Sequence, residues 1–177
     1  LDNKRYVDMS LMGVGTNILG YANKKVDGAV SKVIKKGNMS TLNCPEEVKL
    51  AEKLIELHPW SQMVKFTRSG GEANAVATRI ARAASGKDNV AFCGYHGWHD
   101  WYLATNLKSK DKLNSHLIKN LEILGVPQNL NNTIYPFKYN DFDRLKFIIE
   151  NKNIGVICME VMRNEEPKNN FLKKIRN

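Results

Sequence analysis

The run from Phe66 to Ala84, FTRSGGEANAVATRIARAA, constrains the fold of this chain more than any other part of it. It reads as a short strand, a glycine turn and an alanine-rich helix, closed by Ser85-Gly86. A turn of this kind aims unpaired backbone N–H groups and the positive end of a helix dipole at one point, which suits an anion. Glycine there also serves a plain strand-to-helix turn, which needs close packing and unusual backbone angles. The run lacks the G-x-G-x-x-G and G-x-x-x-x-G-K-[ST] patterns, so a standard dinucleotide site or P-loop is not indicated.

A second strand, Asn89 to Cys93, follows and delivers Tyr95, His96, Gly97, Trp98, His99 and Asp100. An anion cradle followed closely by an aromatic platform suits a flat phosphorylated ligand. A tyrosine and a histidine such as Tyr95 and His96 on a core strand are more often packing residues with satisfied polar tips. His96, His99 and Asp100 crowd into five loop positions without helical H-x-x-x-H spacing, which argues against a metal site. A third candidate is Glu160. It ends the apolar run Ile154–Met159 at the carboxyl edge, where open α/β sheets bind ligands.

From Met63 onward strands and helices alternate, which predicts a parallel sheet with covering helices. The expected strands are Met63–Thr67, Asn89–Cys93, Thr133–Phe137 and Ile154–Met159, the last as a buried parallel strand. Helices are expected at Glu72–Ala84 and after the Asn140-Asp141 cap. Residues 106 to 132 read as a surface excursion holding a short helix at Leu117–Leu124. Before Met63, Leu1 to Gly20 reads as extended or hairpin structure. Helices follow at 23–36 and from Pro45 to Pro59, each with one apolar face turned to a core.

Composition sets outer limits. A chain of 177 residues holds one sizeable core. No apolar run approaches a membrane span, and no signal region opens the sequence. The formal charge of +9 comes mostly from scattered lysines among asparagines, which disfavours a nucleic-acid surface. Cys44, Cys93 and Cys158 form no disulfide framework, so a cytoplasmic protein is expected.

Ser69-Gly70-Gly71-Glu72-Ala73, Tyr95-His96-Gly97, Arg79 to Arg82 with Ser85 to Asp88, and the strand running into Glu160 together resemble the class III aminotransferases. The likeness extends over essentially the whole chain, from Tyr6 to Gly20 onward. It implies fold type I: an α/β large domain with a parallel-dominated sheet and helices on both faces. Residues 59–177 would be the first part of that domain and residues 1–58 an N-terminal segment. The implied cofactor is pyridoxal 5′-phosphate. Ser69, Gly70 and Gly71 would hold its phosphate, Tyr95 would stack on its ring, His96 would shape the pocket, and Glu160 would lie near the ring substituents or the substrate. The implied reaction moves an amino group between a small amine and a carbonyl compound, in a homodimer.

This sequence departs from the family pattern in three ways. Gly71 stands where a hydroxyl residue is usual, and Trp98 to Trp101 extends the Tyr-His-Gly motif. The Schiff-base lysine and the aspartate that pairs with the ring nitrogen would lie beyond Asn177, which leads us to expect an N-terminal part of a longer enzyme. Three alternatives remain at this point: glutamate-1-semialdehyde aminomutase, a non-catalytic phosphoryl-ligand binder of the same fold, and a nucleotide-binding module for which Asp100 is poorly placed.

Overall fold

Alternation along one strand organises the folded core. In β1 (Asn89–Cys93), Val90 and Phe92 point to one face and Ala91 and Cys93 to the other, all buried. The computed structural model describes residues 2–37, 41–162 and 164–177. It divides into two units, Leu1–Val64 and Lys65–Asn177. The sequence expectations that touch residues 1, 38–40 and 163 lie outside the described residues.

In the first unit, α1 (Lys24–Ile34) is capped by the Asn23 side chain, which accepts from the amides of Lys25 and Val26. The next helix, α2 (Pro45–Leu57), has proline at its start, and the Glu47 carboxylate accepts from the Cys44 amide. Both helices form where periodicity places them, but neither buries a residue. The core expected against their apolar faces is therefore absent among the described residues: Val26, Val30 and Val48 are about half exposed. Two amphipathic helices in so short a unit cannot enclose both stripes.

The start, expected to be extended or hairpin, forms no hairpin among the described residues. Met12, Gly13, Val14 and Gly15 all adopt left-handed backbone, which coils residues 11–19 into turns rather than strands. The bonds follow suit, from Gly15 N to Leu11 O and from Asn17 N to Met12 O.

In the second unit, α3 (Gly70–Ser85) starts two residues earlier than expected, so the glycine pair is its first turn. Ser69 is its N-cap, accepting from the Glu72 amide, and Gly86 ends it in left-handed conformation at φ 64°. The other elements follow in order: β1, α4 (Asp100–Leu103), β2 (Ile134–Pro136), α5 (Phe142–Lys152), β3 (Ile154–Met159) and α6 (Phe171–Arg176). The sheet is parallel throughout with order β2-β1-β3, so β1 is central.

One sheet face packs Val90 and Phe92 against Trp101, Tyr102 and Leu113, with Ala75 of α3 alongside. The other packs Ala91 and Cys93 against Phe137, Leu145, Ile148 and Phe171, supplied in part by α5 and α6. Helices thus cover both faces, as the α/β reading requires.

Several expectations are corrected here. Met63–Thr67 is not a strand: no neighbouring strand pairs with it, and the chain passes between the two units there. Leu117–Leu124 is turn and coil, not helix. The stretch 106–132 is more than a surface excursion, because Asn106, Leu113, His116 and Val126 are buried. Asn106 explains this, since its Oδ1 accepts from Leu113 N while its Nδ2 donates to Leu121 O and Lys110 O. One amide side chain therefore replaces the missing secondary structure. The strand β3 is parallel as expected but only half-buried, because it lies at the sheet edge.

Gly155 tests the fit of β3 against the turn entering β1. A Cβ there would fall 2.5 Å from Lys87 Cβ and 3.1 Å from its carbonyl oxygen. Gly155→Ala is expected to destabilise the protein by about 1–3 kcal/mol in chemical denaturation. Gly28→Ala, in the open on α1, should instead gain about 0.5–1 kcal/mol.

Candidate functional site

β1 and α3 point their ligand-binding ends at the same place. The loop leaving the carboxyl end of β1 carries Gly94 to His99 across the first turn of α3. Contact between the two is backbone to backbone: a Cβ on Gly97, whose φ is +95°, would stand 2.6 Å from Gly71 Cα. Position 97 therefore requires glycine, whereas a Cβ on Gly71 would clear Gly97 Cα at 3.6 Å and press only on the His99 ring, 3.2 Å away. A cavity of about 570 Å³ opens beside this contact, lined by Ser69, Gly70, Gly71, Asn74, Tyr95, Gly97, Trp98 and His99.

At the cradle the amides of Gly70 and Gly71 find no acceptor among the described residues. They belong to the unpaired first turn of a helix whose dipole adds positive potential. Nearby groups already have partners. The Ser69 hydroxyl caps Glu72 N, the Glu72 carboxylate accepts from Arg68 N at 2.8 Å, and Asn74 Nδ2 donates to Gly70 O. The turn is thus held rigid with its two glycine amides open, which is what a phosphate group requires.

Tyr95, 37% exposed, forms another wall of the cavity, its ring set edge-on to Tyr102 at 6.4 Å. Its backbone is tethered at several points. Tyr95 N donates to Glu160 Oε1 at 3.2 Å, Gly94 N to His116 Nδ1 at 3.1 Å, and Tyr102 Oη to Gly94 O at 3.0 Å. Gly94, at φ +102°, has no room for a side chain because Glu160 occupies the space, 2.8 Å from where a Cβ would stand.

The expected site residues separate into three positions. Ser69, Gly70, Gly71 and Tyr95 line one cavity. Glu160 instead lines a neighbouring space of about 350 Å³ with Gly94, His116, Lys138, Tyr139 and Glu165, and reaches Tyr95 only through its amide.

His96 is buried behind the loop. Its Nε2 donates to Cys93 O at 3.0 Å, and its Nδ1 accepts from the Cys158 thiol at 3.6 Å. One imidazole therefore bolts the loop to β1 and β3 at once. Burial lowers the His96 pKa, which keeps the ring neutral with both nitrogens in use. Burial also pushes the Cys158 thiol up to about 11, so it remains an S–H donor. The Cys93 thiol rises to about 11 through burial, reinforced by the charges of Glu160 and Glu165.

Sequence reasoning missed Asn74, Trp98 and His99 as cavity walls and His116 as a loop anchor. Asn74, one helical turn after Gly70, carries a signal in its spacing. His116 carries none, because its tether spans 22 residues.

Comparison with known proteins places the chain in a family. The model of the aminotransferase class-III family matches residues 1–166. The chain is 34% identical to the 3-aminobutyryl-CoA aminotransferase of Cloacimonas acidaminovorans, over 99% of this chain and 40% of that protein. It is 33% identical to the glutamate-1-semialdehyde 2,1-aminomutase of Sulfolobus acidocaldarius, over 99% of this chain and 42% of that one. The crystal structure of an omega-transaminase from Sphaerobacter thermophilus superposes with a TM-score of 0.78 at 25% identity, covering 94% of this chain and 40% of that one. The chain thus spans about two fifths of the length of the relatives it matches.

The His96 bolt has a pH signature. Its folded-state pKa lies below the ordinary 6.5, so as pH falls the unfolded chain takes up the proton first. The stability it confers is complete above pH 6.5 and declines below it, until the folded-state value is passed. Glu160 charge opposes part of this loss. Denaturation midpoints between neutral and mildly acidic pH should fall less steeply for His96→Gln than for the parent protein.

Proposed function

The chain belongs to the class-III aminotransferases, and on that premise we propose that the protein moves an amino group between a small amine or amino acid and a carbonyl compound. The family's cofactor is pyridoxal 5′-phosphate, whose ring, when bound, withdraws electrons from the carbon bearing the transferred amine. The observation that carries the reading is one cavity that joins open helix-start amides to an aromatic wall.

Ser69, Gly70 and Gly71 are assigned to the phosphate. The two glycine amides would donate to it, and the Ser69 hydroxyl fixes the turn. Tyr95 would pack against the ring and exclude water from it. His96 touches no ligand and acts as a positioning residue, keeping the Tyr95–Gly97 loop against α3. Glu160 holds the Tyr95 amide with one carboxylate oxygen and presents its charge to the edge of the site.

The cavity lining among the described residues includes no lysine, and the proton-moving lysine of such a reaction is left unassigned. The Lys65–Asn177 unit is then the opening part of the cofactor domain, and the Leu1–Val64 unit is the N-terminal segment. Exposed apolar side chains in that segment, among them Tyr6, Val7, Met9, Trp60 and Met63, support a homodimer in which they are covered. Free cysteines at 44, 93 and 158 support a cytoplasmic location, and no helix among the described residues is long and apolar enough to cross a membrane.

The test is spectroscopic. The full-length protein should bind pyridoxal phosphate with a visible absorption band that the free cofactor lacks, and Tyr95→Ala should weaken that binding by about tenfold, or ~1.4 kcal/mol. A folded protein without the band would leave the non-catalytic ligand-binding alternative. The aminomutase alternative, favoured by the Sulfolobus relative, predicts turnover of glutamate-1-semialdehyde, whereas a transaminase needs a separate amino acceptor.

A further inference from the structure

The geometry points to His99 as a further phosphate ligand, one that takes the place of a side chain at position 71; this rests on the cofactor reading above.

Three observations meet at this residue. A Cβ built on Gly71 would fall 3.2 Å from His99 Cδ2 and 3.4 Å from His99 Nε2. The imidazole edge therefore borders the space that a residue-71 side chain would occupy, on the second residue of the helix that opens the cradle. Next, the cavity walls are Ser69, Gly70, Gly71, Asn74, Tyr95, Gly97, Trp98 and His99, and of these only His99 has a basic side chain. A phosphate ester carries close to two negative charges at neutral pH. Two amides and a helix dipole leave several of its acceptor lone pairs unmatched. Finally, the imidazole makes no hydrogen bond among the described residues. His99 is the N-cap residue of α4, yet its side chain makes no cap hydrogen bond, and the helix draws only on its carbonyl, which accepts from Tyr102 and Leu103 amides. Asn74, by contrast, already donates to Gly70 O.

Gly71 and His99 thus act as a pair: the glycine clears the space, and the imidazole brings a donor into it from the opposite loop. That arrangement makes phosphate binding depend on the Gly94–His99 loop being seated. The same loop supplies Tyr95. Phosphate and ring would then be gripped from a single segment, with the α3 amides as the opposing jaw.

The experiment compares binding of pyridoxal phosphate and of pyridoxal, which lacks the phosphate, to the full-length protein and to His99→Ala, Gly71→Ser and the double variant. Equilibrium titration by absorbance gives the affinities, and the ³¹P resonance of the bound cofactor reports the phosphate environment. His99→Ala should weaken pyridoxal phosphate by about tenfold or more, the scale of one hydrogen bond to a charged group, with the ³¹P resonance shifted and pyridoxal affinity unchanged.

Gly71→Ser alone should also bind less tightly, because its Cβ crowds the imidazole. Adding it to His99→Ala should restore affinity, since the serine hydroxyl then has room to donate. Unchanged phosphate-dependent affinity in His99→Ala would overturn the inference while leaving the cofactor reading intact. Equal losses for pyridoxal and pyridoxal phosphate would overturn it too, as loop disruption. A parent protein that binds neither compound would overturn the cofactor reading itself, and the inference with it.

Discussion

Two backbones touching, Gly97 against Gly71, set the geometry of everything else in the site. Because Gly97 has no Cβ, the loop after β1 lies directly on the first turn of α3, and the open amides and the Tyr95 ring share one cavity. Any side chain at position 97 would have to move the helix or the loop, since its first carbon would already stand 2.6 Å from Gly71 Cα. A close contact of this kind has little attraction of its own. It persists because the loop is over-determined from behind.

That restraint is distributed over elements far apart in sequence. His96 ties the loop to β1 through Cys93 O and to β3 through the Cys158 thiol. His116 and Tyr102 satisfy the amide and the carbonyl of Gly94, and Glu160 takes the amide of Tyr95. These partners come from β1, α4, the long stretch before β2 and the end of β3. The buried ring cluster of Phe92, His96, Trp101 and Tyr102 packs beneath them, with centroids 5.0–6.2 Å apart. Both polar ends of the loop backbone are therefore satisfied, which lets it sit against a helix start with no regular structure of its own.

Local patterns made much of this legible. Asn23, Pro45 and Asp141 mark helix starts because a cap or a missing N–H acts within four residues of itself, whereas the cap at Ser69 reads as part of the turn. The apolar alternation of β1 and the run into Glu160 marked strands for the same reason. Leu1–Gly20 and Leu117–Leu124 misled, since glycines and scattered leucines there are compatible with several local forms. In Leu117–Leu124 a distant partner contributes to the choice, Asn106, which donates to Leu121 O, and in Leu1–Gly20 it is made by the left-handed run at residues 12–15. In the site, Ser69, Gly70, Gly71 and Tyr95 were readable because each sits where strand and helix ends converge. His99 and His116 were not, because their significance lies in what crosses to them: Gly71, 28 positions before His99 (99 − 71), and Gly94.

The electrostatics of the cradle follow from the same construction. A net charge of +9 suggests an anion site ringed with lysine and arginine, yet none lines this cavity. Arg79 and Arg82 face the adjoining space beyond His99, and Arg82 is engaged by the Asp88 carbonyl at 2.7 Å. Surface lysines farther away are screened within about 8 Å at physiological salt. Their charge therefore speeds encounter with anionic molecules more than it holds one in place. Retention must come from short-range donors: two glycine amides, the helix dipole, and whatever side chain the facing loop brings within reach. A site built this way discriminates by geometry rather than by charge, because amides locked in a helical turn cannot follow an anion that sits elsewhere. Its affinity then hinges on the seating of one loop, and that seating is fixed by the glycine contact and the His96 bolt behind it.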